Sequence, residues 1–434
     1  MRFSIRTFGC QMNVYDSDRI RDILMNNGHL PVVDAHEADV LILNTCSVRE
    51  KPHQKVISAI AQAKAAFPRV RILITGCVAQ LEPTILIQAG ADWVVGPDHY
   101  PRLPEILRAD PNTVYVDRAD EVPSFLMAHP ETMQEKGSVS CFVPIQKGCN
   151  NWCAFCVVPA ARGPEVSRPL DEILEECRRF LDAGARELFL LGQNVNSVRL
   201  PSGFAGLLTR VATLQGVYRV RFTTSHPRDC SPELARVMGS VPAVMPWLHL
   251  PIQSGSTRIL HAMNRGYTQE HYLNLITLFR REVPEIAFTT DIIVGFPGET
   301  NADFEDTLDL VEKVGYEGIY SFVFSPRPGT QAASMPDPVP RDVAAARLEQ
   351  LQRLHETRLP QILAARYLNR TVEVLVEGAS VRNAHHASGR IPQNHVVNFE
   401  IPQHHDVNSL RGQRVSVYIT DVRTHTLFGR MILD

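Results

Sequence analysis

The chain has 434 residues, 44% hydrophobic and 21% charged, with a formal net charge of -3. That length exceeds one ordinary core, so two or three domains are expected. No apolar run approaches the roughly 18 residues of a membrane span, and the near-neutral charge rules out a uniformly basic nucleic-acid binder. The start, Met1 to Arg6, reads as a strand rather than a signal peptide. A cytoplasmic protein is expected, and nine cysteines in that setting favour metal or catalytic use over disulfides.

The first third alternates strand and helix. Strand-like runs at Phe3 to Phe8, Asp39 to Leu43, Val70 to Ile74 and Ala91 to Val95 are separated by helical patterns near 17–27, 50–66 and 83–89. Such alternation implies an open parallel sheet. Cys10, Cys46 and Cys77 each follow one of these strands. Strand carboxyl ends share one edge of a parallel sheet, where ligands bind, so three thiols remote in sequence can meet there. The competing expectation is three buried apolar cysteines.

Periodicity is lost between 111 and 140, and a linker is expected at 126–140, after a first domain of 1–125. From 141 to 365 the alternation resumes. Strands are expected at Cys141 to Gln146, Glu187 to Leu191, Tyr218 to Thr223, Trp247 to Leu250, Ile286 to Val294 and Gly318 to Phe324. Six strands with intervening helices suggest a partial α/β barrel, with its site at the strand carboxyl ends. Arg341 to Ala365 reads as a long helix that Pro360 should kink or divide. The tail, 366–434, reads as short strands at 371–377, 389–391, 395–399, 414–420 and 427–431, hence a small all-β barrel. Its eight arginines against six acidic residues suit nucleic-acid binding, although a plain structural module has the same features.

The densest chemical signal is Cys149-Asn150-Asn151-Trp152-Cys153-Ala154-Phe155-Cys156. A loop of this length can offer three thiolates to one iron–sulfur cluster. A cubane has four irons, so one stays open, as catalytic metal sites keep a position open. A zinc knuckle is the alternative, but no fourth Cys or His follows at the usual spacing.

These residues resemble a known family. Cys149, Cys153 and Cys156 match the signature loop of radical S-adenosylmethionine enzymes. The first domain, through Gly9-Cys10-Gln11-Met12-Asn13, Asn44-Thr45-Cys46 and Gly76-Cys77-Val78-Ala79-Gln80, is similar to the extra iron–sulfur domain of the methylthiotransferases, and the tail resembles their TRAM-like RNA-binding barrel. Gly192 to Ser197, Thr224-Ser225-His226-Pro227, His249 to Gly255 and Met263 to Tyr267 resemble the branch acting on isopentenylated adenosine beside the tRNA anticodon. Val198 and Ala160-Ala161 depart from the usual pattern. Cys141, Cys177 and Cys230 lie outside it and are expected to be structural.

The resemblance implies two [4Fe-4S] clusters and S-adenosylmethionine as cofactors. The Cys149 trio would cleave S-adenosylmethionine, and the Cys10 trio would carry sulfur. One S-adenosylmethionine would methylate that sulfur, and a second would generate the radical that takes hydrogen from adenine C2. Gln193, Asn194, Ser225, Gln253, Gly295 and Pro297 are the expected cofactor contacts. Partners would be tRNA and an electron donor such as a flavodoxin or ferredoxin; a monomer is expected. Rival expectations are threonylcarbamoyl-adenosine or a ribosomal protein as substrate, a methyltransferase without sulfur insertion, and a non-catalytic RNA binder. In the last of these, a structural metal site would saturate its ligands, and both trios stop at three.

Overall fold

The computed structural model describes residues 1–47, 52–118, 138–381, 383–402 and 405–433. The N-terminal sheet has six parallel strands: β1 Arg2–Thr7, β2 Leu30–Pro31, β3 Val40–Thr45, β4 Arg71–Gly76, β5 Trp93–Val95 and β6 Thr113–Tyr115. Their order is 2-1-3-4-5-6. β3 is buried along its whole length, which is why it reads as a continuous apolar run. The edge strands β2 and β6 were not expected. At two and three residues they are too short to show a period.

The first helix is Gln11–Asn26, starting well before the expected Ser17. Its opening turns bury Asn13, Asp16, Ser17, Arg19 and Asp22. A helix whose inner face is polar carries no apolar period to announce it. Most of the expected linker, from 126 to 137, lies outside the described residues.

The central region begins with β7 Ser140–Pro144, then a two-rung antiparallel ladder of β8 Gln146–Lys147 with β9 Val166–Ser167. The strands β10 Glu187–Leu191, β11 Arg219–Thr223, β12 Trp247–His249, β13 Ala287–Val294 and β14 Gly318–Val323 follow. They form two parallel three-stranded sheets, β11-β10-β7 and β12-β13-β14. A parallel bridge from Val220 to Val244 joins them into an open barrel. Phe142, Phe189 and Trp247 stack edge to face inside it, at centroid distances of 5.9 and 5.8 Å, and Met12 of the first domain packs on this group.

Arg341–Tyr367 is one helix, so the division expected at Pro360 does not occur. A mid-helix proline costs on the order of 3 kcal/mol, and burial on both sides of it offsets that. Leu351 belongs to the core of the open barrel, whereas Leu359, Leu363 and Tyr367 belong to the core of the tail.

The tail is a closed barrel of β15 Thr371–Ser380, β16 Asn383–Arg390, β17 Val396–Glu400, β18 Arg414–Arg423 and β19 Thr426–Met431, ordered 15-16-17-19-18. β16 corrects the expected 389–391. Its sequence is nearly all polar or small, so register with β15 and β17 makes it a strand rather than apolar alternation. Among the described residues, no helix is long and apolar enough to cross a membrane.

Candidate functional site

β1 and β3 are neighbours, and the chain leaves them toward opposite sides of the sheet. This reversal creates a crevice at the strand carboxyl ends. Cys10 caps the helix after β1, Cys46 follows β3, and Cys77 opens a short helix after β4. Gly9 makes their approach possible. Its φ is +129°, and a Cβ there would lie 2.2 Å from Cys46 Cβ. Asn13 Nδ2 donates to Asn44 Oδ1 at 2.9 Å, and Asn44 Nδ2 donates to the Asn13 carbonyl at 2.8 Å, bracing the two strand ends. A hydrogen bond from Cys46 and the charge of Arg162 outweigh burial and push the Cys10 thiol down to about 6. This favours the thiolate a metal requires.

The second trio sits on the loop after β8. Gly148, with φ +73°, lets this loop run against its own return, since a Cβ there would meet the Pro164 carbonyl oxygen at 2.0 Å. Ala154 is pinned on both sides: its N–H donates to the Met263 carbonyl at 2.9 Å, and its carbonyl accepts from Ala332 at 2.8 Å. The backbone N–H of Asn151 donates to Cys149 Sγ and that of Val158 to Cys156 Sγ, both at 3.4 Å. Burial pushes the Cys149 thiol up and the Cys156 thiol up to about 12. A bound cation would reverse this, because a coordinating thiol is deprotonated outright. Phe155 packs beside the loop. Trp152 is 73% exposed, because its neighbour Asn151 takes the inward position and is held by Arg228.

Each trio also has a guanidinium at one sulfur. Arg162 Nε donates to Cys77 Sγ, and Arg265 Nη1 donates to Cys153 Sγ, both at 3.2 Å. All six cysteines line one cavity of about 350 Å³, together with Gln193, Ser225, His226, Gln253, Arg162 and Arg265. Its lining also includes the apolar Ile293, Phe322 and Phe324.

The expected cofactor contacts divide. Gln193, Ser225 and Gln253 line the cavity, while Asn194, Gly295 and Pro297 lie outside its lining. Asn194 Nδ2 is turned to Asp229, at 2.6 Å. Gly295, with φ +72°, faces Ala344 of the long helix, 2.6 Å from where its Cβ would be, and its N–H donates to Glu299 at 2.7 Å. Pro297 is buried in the same turn. Arg162 and the partner role of Arg265 had no local signal, because each depends on contacts far along the chain. Cys141 and Cys177 pack in the central core, and Cys230 lies at its edge, accepting from Asn196 Nδ2 at 3.3 Å.

The donor set fits iron–sulfur clusters. Thiols arrive in threes, and hydrogen-bond donors address their sulfurs, the outer-shell arrangement such clusters take. Among the described residues, no three His, Cys, Asp or Glu side chains converge on a single ion. Thiolates on separate irons of one cubane need no such convergence. The cavity also fits a polar organic cofactor. Gln193 Oε1, Ser225 Oγ, His226 Nε2 and Arg162 Nη2 are buried there without a hydrogen-bond partner, and buried polar atoms ordinarily have one.

Comparison with known proteins agrees. Residues 143–311 match the Radical SAM superfamily, residues 2–96 the Uncharacterized protein family UPF0004, and residues 365–432 the TRAM domain. The chain is 43% identical over 98% of its length, and 96% of the relative's, to the tRNA-2-methylthio-N(6)-dimethylallyladenosine synthase of Verminephrobacter eiseniae. It is 43% identical to that of Myxococcus xanthus, over 99% and 94% of the two chains. Among solved structures, the radical S-adenosylmethionine methyltransferase TsrM from Kitasatospora setae superposes with a TM-score of 0.57 at 15% identity, covering 76% of this chain and 75% of that one. That likeness shows the fold alone.

Proposed function

Because the chain belongs to the radical S-adenosylmethionine methylthiotransferase family, we propose that it adds a methylthio group to C2 of N6-isopentenyladenosine next to the anticodon of tRNA. Methylthiolation of a tRNA adenosine follows from relatives that match nearly the whole chain. The two-cluster part of the assignment rests on one observation above all: six thiols, in two sets of three, line a single cavity.

In this reading Cys149, Cys153 and Cys156 hold one [4Fe-4S] cluster and Cys10, Cys46 and Cys77 hold another. When bound, these groups supply reductive cleavage of S-adenosylmethionine at the first and a carried sulfur at the second. The chain's own residues position and insulate. Gln193, Ser225, His226 and Gln253 offer polar atoms to S-adenosylmethionine. His226 Nδ1 accepts from the Arg228 N–H at 3.2 Å, which leaves the ring proton on Nε2, facing the cavity. Ile293, Phe322 and Phe324 exclude water from the reacting carbon. An adenine must leave its stack to enter, at less cost from a single-stranded loop than from a duplex. The tail barrel is assigned to holding the RNA.

Domain limits of 1–125, 141–365 and 366–434 belong to the same reading. So do a one-electron donor of the flavodoxin or ferredoxin kind, a monomeric chain and a cytoplasmic setting, the last supported by nine free cysteines.

The test is anaerobic reconstitution with iron and sulfide, followed by iron counting and nucleoside mass analysis of prenylated tRNA. About eight irons are expected, halved in Cys10→Ala/Cys46→Ala/Cys77→Ala, with a methylthio mass gain for wild type only. A wild type that holds one cluster, unchanged in the triple variant, refutes the two-cluster assignment.

A further inference from the structure

The two guanidinium–sulfur contacts differ in charge balance. Arg162 is ion-paired: its Nη1 lies 2.7 Å from Asp16 Oδ2, which also accepts from the Tyr100 hydroxyl at 3.3 Å. Arg265 spends its remaining nitrogens on neutral acceptors. Nε donates to the Tyr267 hydroxyl and Nη2 to the Pro251 carbonyl, each at 2.9 Å. Among the described residues, no carboxylate pairs with Arg265. Both side chains are about equally buried, Arg162 at 4% exposure and Arg265 at 5%.

A buried cation without an opposing charge is costly, so proteins pair such groups or use them to hold an anion. The anion in reach of Arg265 is the Cys149, Cys153 and Cys156 trio. Three thiolates on an oxidised cubane leave it net negative, and one added electron makes it more so. A fixed positive charge, with an N–H donated to a ligand sulfur, stabilises the more negative state and raises the reduction potential.

We propose that Arg265 is the counter-cation of the Cys149, Cys153 and Cys156 cluster, and that Asp16 cancels the same effect of Arg162 on the Cys10, Cys46 and Cys77 cluster. An electron arriving from an external low-potential one-electron donor then settles on the cluster that cleaves S-adenosylmethionine, although both face one cavity. Arg265 acts through Cys153, so it is a positioning residue. The inference rests on the two-cluster reading above.

The experiment is a redox titration followed by electron paramagnetic resonance, on full-length reconstituted protein. The Cys10→Ala/Cys46→Ala/Cys77→Ala background isolates the first cluster, and Cys149→Ala/Cys153→Ala/Cys156→Ala isolates the second. In the first background, Arg265→Gln is expected to lower the midpoint by at least about 59 mV, a tenfold change in a one-electron equilibrium, at unchanged iron content. Arg265→Lys, which keeps the charge, should retain most of the wild-type midpoint. In the second background, Asp16→Asn is expected to raise the midpoint by exposing the charge of Arg162. An unshifted midpoint in Arg265→Gln overturns the inference. Where that variant loses its iron, an unshifted midpoint in Asp16→Asn overturns it independently. Iron counting on wild type separates this failure from failure of the two-cluster reading, which a single-cluster protein would overturn.

Discussion

Arg221 donates from Nη2 to the carbonyl oxygen of Ile391 at 2.8 Å, across 170 residues of chain. Its Nη1 reaches the Pro392 carbonyl at 2.6 Å, and its Nε donates to Glu187 Oε2 at 2.8 Å. On the same strand, Arg219 donates to the Arg390 carbonyl at 2.5 Å. Three successive carbonyls at the end of β16 and just beyond it, those of Arg390, Ile391 and Pro392, thus accept from two arginines of the central barrel. The tail is docked, not tethered.

Removing Arg221 leaves Glu187 buried with Ser140 as its remaining hydrogen-bond donor, at 3.0 Å. Breaking a buried pair from one side costs about 3–5 kcal/mol. Arg221→Ala is therefore expected to unfold at lower temperature and to be cut by protease first near 366–370. Limited proteolysis beside a thermal melt checks this, and a wild-type digestion pattern would mean that the tail docks without it.

Gly9 tests how the first trio is built. A methyl group at Gly9 collides with Cys46 Cβ, and the φ of +129° is strained for any other residue. Gly9→Ala should lose about half of the iron while retaining reductive cleavage of S-adenosylmethionine. Full iron content would show that the strand end has room to relax.

His226 gives a pH test on the protein before reconstitution. Burial, then the charges of Arg265 and Arg228, push its imidazole down to about 2. A base with a lowered folded value stabilises fully above its ordinary value near 6.5. That stability is lost as pH falls, because the unfolded chain takes a proton that the folded chain refuses. The loss is about 1.4 kcal/mol per pH unit below that value. His226→Gln should reduce the drop in thermal midpoint between about pH 7.5 and about pH 5.5. An identical drop in both proteins would place the acid sensitivity elsewhere.

Gln253 is held at φ +75° although it is not a glycine. Such residues cost on the order of 1–3 kcal/mol and cluster at functional sites. Gln253→Gly should raise the thermal midpoint, equivalent to about 1 kcal/mol, and weaken S-adenosylmethionine binding by calorimetry roughly tenfold. Unchanged affinity would remove Gln253 from the cofactor contacts.

The cysteines were legible because each follows a strand recognisable from its own apolar residues, and because spacing within 149–156 is local. The order of β1 and β3 about the crevice is a long-range pairing, which no window of sequence encodes. The same holds for Arg162 meeting Cys77, and for Arg221 meeting Ile391. Asn194 and Gly295 follow strands as readily as Gln193 does, yet one turns to Asp229 and the other admits Ala344. Sequence places a residue at a strand end but does not say which way it turns. Polar sequence hid two elements: the opening of the first helix, where the polar residues are buried, and β16, where among the described residues only Ala387 and Gly389 are.

The two trios differ in how much chain must be ordered before they exist. Cys149, Cys153 and Cys156 lie on one short loop, so bringing them together costs little closure entropy, and Met263 and Ala332 then pin that loop. Cys10, Cys46 and Cys77 need three strands of a parallel sheet in register, which forms late and slowly. In the two-cluster reading proposed above, metal loading should therefore be ordered, with the loop trio filled early and the sheet trio filled once the first domain has formed. Arg162, a little beyond Cys156 in the chain but bonded to Cys77 in space, makes the second event sensible to the first: the sheet trio is complete only when the two domains have met.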